Sequence, residues 1–197
     1  MKASPAREAG VLPFPRSLAM KLRQLLPLAG LFLVAAVVPS PADDGPRAKD
    51  LLKAFAGTWD SETSFAGFPP GKGTEEVTLL GHGLSCVITS RSNDAMGPGM
   101  PKFEGHGLFG YDNKQKKWLH AWIDNTDTSF DVSEGTWDEA GKVFTIEQNV
   151  DMGGGPQKVV MTQTITGSDT RTFTMNLKDA PADAKPILTM TYKRHQP

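Results

Sequence analysis

Three histidines, His82, His106 and His120, are the side chains of this 197-residue chain best suited to holding a metal or haem, since a neutral imidazole ligates zinc, copper or haem iron. Their separations are long and no His-x-x-x-His helical pair exists, which is not the spacing of a preformed metal site. His82 sits between two glycines in a turn, and His106 shares a face with Leu108. His120 alternates with Trp118 and Trp122, so these three share one face of a strand, and His120 is the first choice for a haem ligand. Methionine offers a second chemistry. Met96 and Met100 in the long stretch Ser92–Glu104, and Met152 in the turn 151–156, carry thioethers of the kind that bind Cu(I), although methionine more often fills gaps in apolar walls.

Catalytic patterns are absent. No Gly-x-Ser-x-Gly elbow occurs, and no glycine-rich phosphate loop follows a strand and opens a helix. Glu75 and Glu76 point to opposite faces of one strand and cannot share a proton. Glu134 and Glu147 sit beside apolar residues, and a solvated rim position ranks ahead of an inward-facing acid for both. Asp124, Asn125, Asp127 and Asp131 lack the glycine and terminal glutamate of a calcium loop and read as turn formers. Cys86 is the single cysteine, which excludes an intrachain disulfide or a cysteine-based zinc site and leaves it as a small buried hydrophobe. No cofactor is expected.

The elements that position these residues are one helix and then strands to the end. Residues 46–56 carry Leu51, Leu52, Ala54 and Phe55 among charged positions, a short amphipathic helix stopped by Gly57. Strand-like runs follow at 58–65, 73–80, 84–91, 105–111, 117–124, 129–137, 142–150, 158–166, 172–178 and 187–193, separated by turn signals such as Gly81-His82-Gly83 and Asp112-Asn113. Many short strands joined by tight turns predict an all-β, antiparallel up-and-down barrel of about eight to ten strands, which either packs its interior or encloses one small ligand.

The N-terminus is a different object. Arg16, Lys21 and Arg23 lead into the uncharged run Leu25–Val38, and Pro39-Ser40-Pro41-Ala42 follows with small residues at Ser40 and Ala42. This order predicts a secretory signal peptide over residues 1–42, cleaved after Ala42, with Met20 as an alternative start to Met1. The run of 14 residues is shorter than the roughly 17 to 25 that span a bilayer, so no stable membrane insertion is expected after cleavage. Removing the signal takes away five basic residues and one acidic residue, turning a whole-chain charge of -1 into -5 over residues 43–197, a single domain. The mature chain is mildly acidic with scattered lysines, which argues against a nucleic-acid partner. Periplasmic or extracellular localisation is expected.

Gly57-Thr58-Trp59, a Gly-x-Trp opening the first strand after a short helix, resembles the signature that begins lipocalin-type (calycin) barrels. Residues 52–59 (LKAFAGTW), 105–112 (GHGLFGYD), 118–124 (WLHAWID) and 135–138 (GTWD) with Gly141-Lys142 are similar to an uncharacterised bacterial group, the domain-of-unknown-function family 1579. That resemblance spans roughly residues 48–178 and implies a calycin-like β-barrel, with no activity and no catalytic residues to carry over. The leading functional expectation is therefore a non-enzymatic barrel binding a small apolar ligand such as a lipid. Its candidate contacts are Trp59, Trp118, His120, Trp122, His106, Met96 and Met100, with the Ser92–Glu104 loop near its mouth. A haem- or metal-dependent enzyme using His120 or His106 ranks second, and a structural or protein-interaction barrel third.

Overall fold

The computed structural model describes residues 45–196 apart from Met96, Pro98, Asp127, Gly153 and Ala182; the expected export signal lies outside the described residues. One helix, α1 (Gly45–Phe55), precedes ten strands: β1 (Gly57–Phe65), β2 (Gly71–Leu79), β3 (Ser85–Ala95), β4 (Lys102–Asp112), β5 (Lys117–Asp124), β6 (Asp131–Asp138), β7 (Val143–Asp151), β8 (Pro156–Ile165), β9 (Thr170–Leu177) and β10 (Leu188–Arg194). Each strand pairs antiparallel with its chain neighbours, and β10 returns to β1, closing an up-and-down barrel. The expected helix and all ten expected strands are present, most of them shifted by one to three residues at their ends.

The largest departure concerns the stretch Ser92–Glu104, expected as a long loop. β3 continues to Ala95 and β4 begins at Lys102, with an irregular register between Arg91 and Ala95. Ser92 causes this. Its hydroxyl donates to the Asp94 carbonyl (2.6 Å) and accepts from Phe103 N–H (2.8 Å), which ties the bulged strand to its partner. Two other hairpins share a turn chemistry. Asp112 accepts N–H bonds from Lys114 and Gln115, Asp138 accepts them from Ala140 and Gly141, and each turn ends on a lysine with positive φ, Lys116 and Lys142.

α1 buries Ala48, Leu51, Leu52 and Phe55, a single face at helical spacing, and plugs the barrel end that carries the β2–β3, β4–β5, β6–β7 and β8–β9 turns. Phe55 meets Phe109 edge to face at 5.8 Å, and Phe109 packs on Trp118 (5.2 Å) and Phe144 (4.6 Å), an aromatic floor beneath the rest of the interior. Trp59 locks helix to barrel: its indole N–H donates to the Phe55 carbonyl (2.8 Å), and it is 1% exposed. Guanidinium groups lie over its rings, Arg171 at 4.6 Å and Arg194 at 4.3 Å. Arg194 also donates to the carbonyls of Ala56 and Ala54, a cation at the helix C-terminus. Gly57 has φ +119, and a Cβ there would come 2.7 Å from the Arg194 guanidinium, so this turn requires glycine twice over.

The sealed end also holds a buried ion pair. Arg171 (3% exposed) donates to Glu75 (6% exposed), whose other oxygen accepts from the Tyr192 hydroxyl at 3.3 Å. Burial and the adjacent Glu75 carboxylate push the Tyr192 phenol well above its ordinary pKa, so it stays a donor. Removing one member leaves the other charge uncompensated in the core. We expect Glu75→Gln to cost about 3–5 kcal/mol, read as a lower urea midpoint, and Glu75→Leu combined with Arg171→Met to recover most of that loss. A double variant as unstable as Glu75→Gln would show that the pair does more than compensate its own burial.

Candidate functional site

Register decides which side chains face inward. Continuous inward rows run Met190–Phe173–Gln163–Phe144–Trp137 and Val159–Gln148, then on through Ser133–His120–Phe109–Cys86–Leu79. Near the helix these positions are aromatic and packed. Toward the far end they become small or polar on one side, with Ser61, Gly73, Ser90, Gly105, Gly107 and Ser133, and thioether-rich on the other, with Met161, Met175 and Met190. A ten-strand barrel is wider than the eight-strand barrels whose interior side chains just fill, and at this end the Trp122 ring takes the space over Gly105 and Gly107.

The inner wall of β4 and β5 is built around Trp122. A Cβ on Gly105 would lie 2.3 Å from the Trp122 ring and one on Gly107 2.8 Å from it, so the indole lies flat over backbone that only glycine provides. Phe103 (6.5 Å, 15°) and His120 (6.1 Å, 13°) both lie nearly parallel to the Trp122 ring. The Trp122 N–H donates to the Asp124 carboxylate at 2.9 Å. Burial alone pushes the His120 pKa down to about 4, so the ring is neutral at physiological pH. Three inward nitrogens, His120 Nδ1, Gln163 Nε2 and Arg171 Nε, are buried without a hydrogen-bond partner among the described residues. Burial pushes the Cys86 thiol up to about 12, which excludes it as a thiolate nucleophile.

The expected contacts separate into groups. Trp118, His120 and Trp122 do share the interior face, Trp118 in the floor and the other two above it. Trp59 is inside as well, but in the sealed end between two arginines. His106 lies on the outer face, bonded to Glu104 at 3.0 Å and Thr89 at 3.4 Å, apart from His120. Met100 is exposed in the β3–β4 turn, Met152 is exposed in the β7–β8 turn, and Met96 lies outside the described residues. His82 bonds within its own turn. Glu134 and Glu147 face outward on Lys117 and Lys178.

Sequence reasoning missed the interior methionines, Gln163, Arg171 and the small residues of β1 to β4. The alternation of Ser61 with Glu62, or of Ser90 with Arg91, carries no sign of which face is inside. Among the described residues no group of three or more His, Cys, Asp or Glu side chains is placed to hold a metal ion, and no helix is long and apolar enough to cross a membrane. A cleft of about 580 Å³ opens at the far end beside the β9–β10 connection, lined by Leu177, Ala180, Pro181, Ala184 and Ile187. Leu177 faces inward by register and Lys158, which also lines the cleft, faces outward, so the cleft lies at the edge of the wall.

A family model described as "Protein of unknown function (DUF1579)" matches residues 46–194, and the chain belongs to that family. No curated protein matches the sequence. Among solved structures, a redesigned β-barrel is similar at 15% identity and TM-score 0.38, covering 76% of this chain and 96% of its own. A second redesigned β-barrel, mFAP0 bound to DFHBI, is similar at 13% identity and TM-score 0.38, covering 72% and 99%.

His120 gives this interior a pH signature. Its folded pKa lies below the ordinary histidine value, so between about pH 6.5 and 4 the unfolded chain binds the extra proton and stability falls as the solution is acidified. We expect roughly 2–3 kcal/mol of loss across that window from this group, and a flatter profile in His120→Phe. Parallel profiles for the two proteins in chemical denaturation would exclude His120 as the source.

Proposed function

We propose that this protein is an exported, non-enzymatic carrier that binds one small apolar or amphipathic molecule inside its barrel. The observation that supports this best is the asymmetry of the interior. One end is sealed by α1, the aromatic floor and the Trp59 arginine clamp. The other end carries Ser61, Ser90, Ser133 and Met175 at inward positions while the wall stays closed. A barrel that needed only a core would continue to fill its inward positions with large apolar side chains.

Trp122 and His120 form the aromatic wall of the proposed site and Met175 an adaptable one, since unbranched thioethers repack around irregular shapes, while Met161 and Met190 pack on the core and the Met190 sulfur accepts from the Tyr192 hydroxyl at 3.3 Å. Access runs past Leu177, under the β9–β10 connection rather than the β3–β4 turn. Both neighbours of His120 in register, Phe109 and Ser133, lack an acid–base partner for it, and Ser133 is engaged with Gln148 at 3.1 Å. That arrangement supports binding rather than proton transfer.

Filling the chamber tests the reading. Ser90→Phe should leave far-ultraviolet circular dichroism unchanged and abolish ligand-induced tryptophan quenching in the purified protein. A packed interior would respond differently, losing about 1–3 kcal/mol of stability through overpacking. Native mass spectrometry of protein from its own host should show a bound small molecule, and a ligand-free mass that resists every apolar probe would defeat the proposal. Export has its own readout. Protein recovered from the cell envelope or medium should begin at Asp43, and a cytoplasmic product retaining residues 1–42 would refute the secretory reading.

A further inference from the structure

A second cleft, of about 490 Å³, opens at the sealed end, where α1 meets the β4–β5 and β6–β7 turns. Its size suits one small molecule. Arg47 of α1, Lys116 and Lys117 line it together with two carboxylates, Glu134 and Glu139. Both carboxylates are already engaged. Glu134 takes the Lys117 ammonium at 2.6 Å, and Glu139 accepts the Trp137 indole N–H at 2.7 Å. Arg47 is exposed and has no hydrogen-bond or ion-pair partner among the described residues. The lining is thus locally positive in a chain whose net charge is -1. Its apolar part comes from Tyr111, Trp118 and Trp137. The first two are held by the floor, Tyr111 at 5.3 Å from Trp118 and Trp118 stacked on Phe109 at 5.2 Å, while the bond to Glu139 fixes Trp137.

We propose that this cleft binds a small planar aromatic carboxylate, its ring against the tryptophans and its carboxylate on the Arg47 guanidinium. The site is separate from the interior one, and either can exist without the other. Arg47 decides the head group, because a guanidinium offers a planar fork of N–H donors that matches a carboxylate with two parallel hydrogen bonds. Charge narrows the class further. A cation would meet three basic side chains and two carboxylates that already have partners. A doubly charged phosphate would bring its second charge close to Glu134 and Glu139, so a single negative charge fits the lining better. The aromatic wall decides the body of the ligand. Rings fixed in place by their own packing offer a rigid surface, which a flat apolar molecule covers with little loss of side-chain freedom.

Two probes that differ only in the head group test this, 2-naphthoate and its uncharged counterpart 2-naphthamide, titrated calorimetrically into the purified protein at neutral pH and low salt. The naphthoate should bind at least about tenfold more tightly than the amide, and added sodium chloride should weaken the naphthoate alone. Arg47→Gln should bring the naphthoate down to the level of the amide without moving the Tm, because Arg47 is exposed and holds nothing else in place. Ser90→Phe, which alters the interior, should leave naphthoate binding as it was. Equal binding of the two probes, binding of neither, or a naphthoate affinity untouched by Arg47→Gln would each overturn the proposal. Naphthoate binding that Ser90→Phe removes and Arg47→Gln preserves would place the probe inside the barrel, overturning this site and supporting the carrier.

Discussion

The barrel depends on one arrangement more than on any other, an indole held between two guanidinium groups. Trp59 opens β1, Arg171 opens β9 and Arg194 ends β10, so a single cluster joins the first strand to the last two across nearly the whole sequence. Each member has a second task. Trp59 bonds the last turn of α1, Arg194 caps that helix, and Arg171 neutralises Glu75. Cation–π contacts are worth more once desolvated, and these lie in a site from which helix and floor exclude water. The helix would otherwise be a lone eleven-residue segment, too short to persist by propensity alone.

Above that cluster the interior changes character over a short distance. Phe55, Phe109, Trp118 and Phe144 behave as a core, in contact at aromatic distances. Over them the wall is carried by backbone: Gly105 and Gly107 let Trp122 lie against the sheet, and Gly73 tolerates a carbonyl where a Cβ would be 2.3 Å away. Cys86 belongs to the core, fully buried beside Phe109, and its chemistry is suppressed accordingly.

Local pattern was enough to read the architecture. The ten strands follow from alternation and turn residues, and Asp112 and Asp138 set their turns as Asp in a hairpin should. The shared face of Trp118, His120 and Trp122 was legible because a strand has period two. What stayed hidden needed long-range pairing. Glu75 and Arg171 lie 96 positions apart, and each alone reads as a solvated charge. Glu134 and Glu147, flanked by apolar residues, looked more like interior acids than Glu75 did. His106 and His120 are both strand histidines, and only the β4–β5 register puts one outside and the other within. Met161, Met175 and Met190 sit in separate strands with no common motif, and the hairpin register of β8, β9 and β10 brings them to one wall. The supposed loop Ser92–Glu104 was misleading for the opposite reason, since Ser92 and Phe103 extend the ladder and β3 runs on to Ala95.

Closure between β1 and β10 has a consequence for the order of events in folding. Every other strand pair is a hairpin, closed by neighbours in the chain, and can form as soon as its second strand is made. The β1–β10 seam instead joins Trp59 to Arg194 and Phe65 to Leu188, and must wait for the last seven residues of the sheet. Until then the chain carries two open edges, β1 and β9, with unpaired N–H and C=O groups that invite pairing with another copy. The C-terminal strand is therefore the piece that turns an adhesive open sheet into a closed wall, and its arrival also brings Arg194 to Trp59.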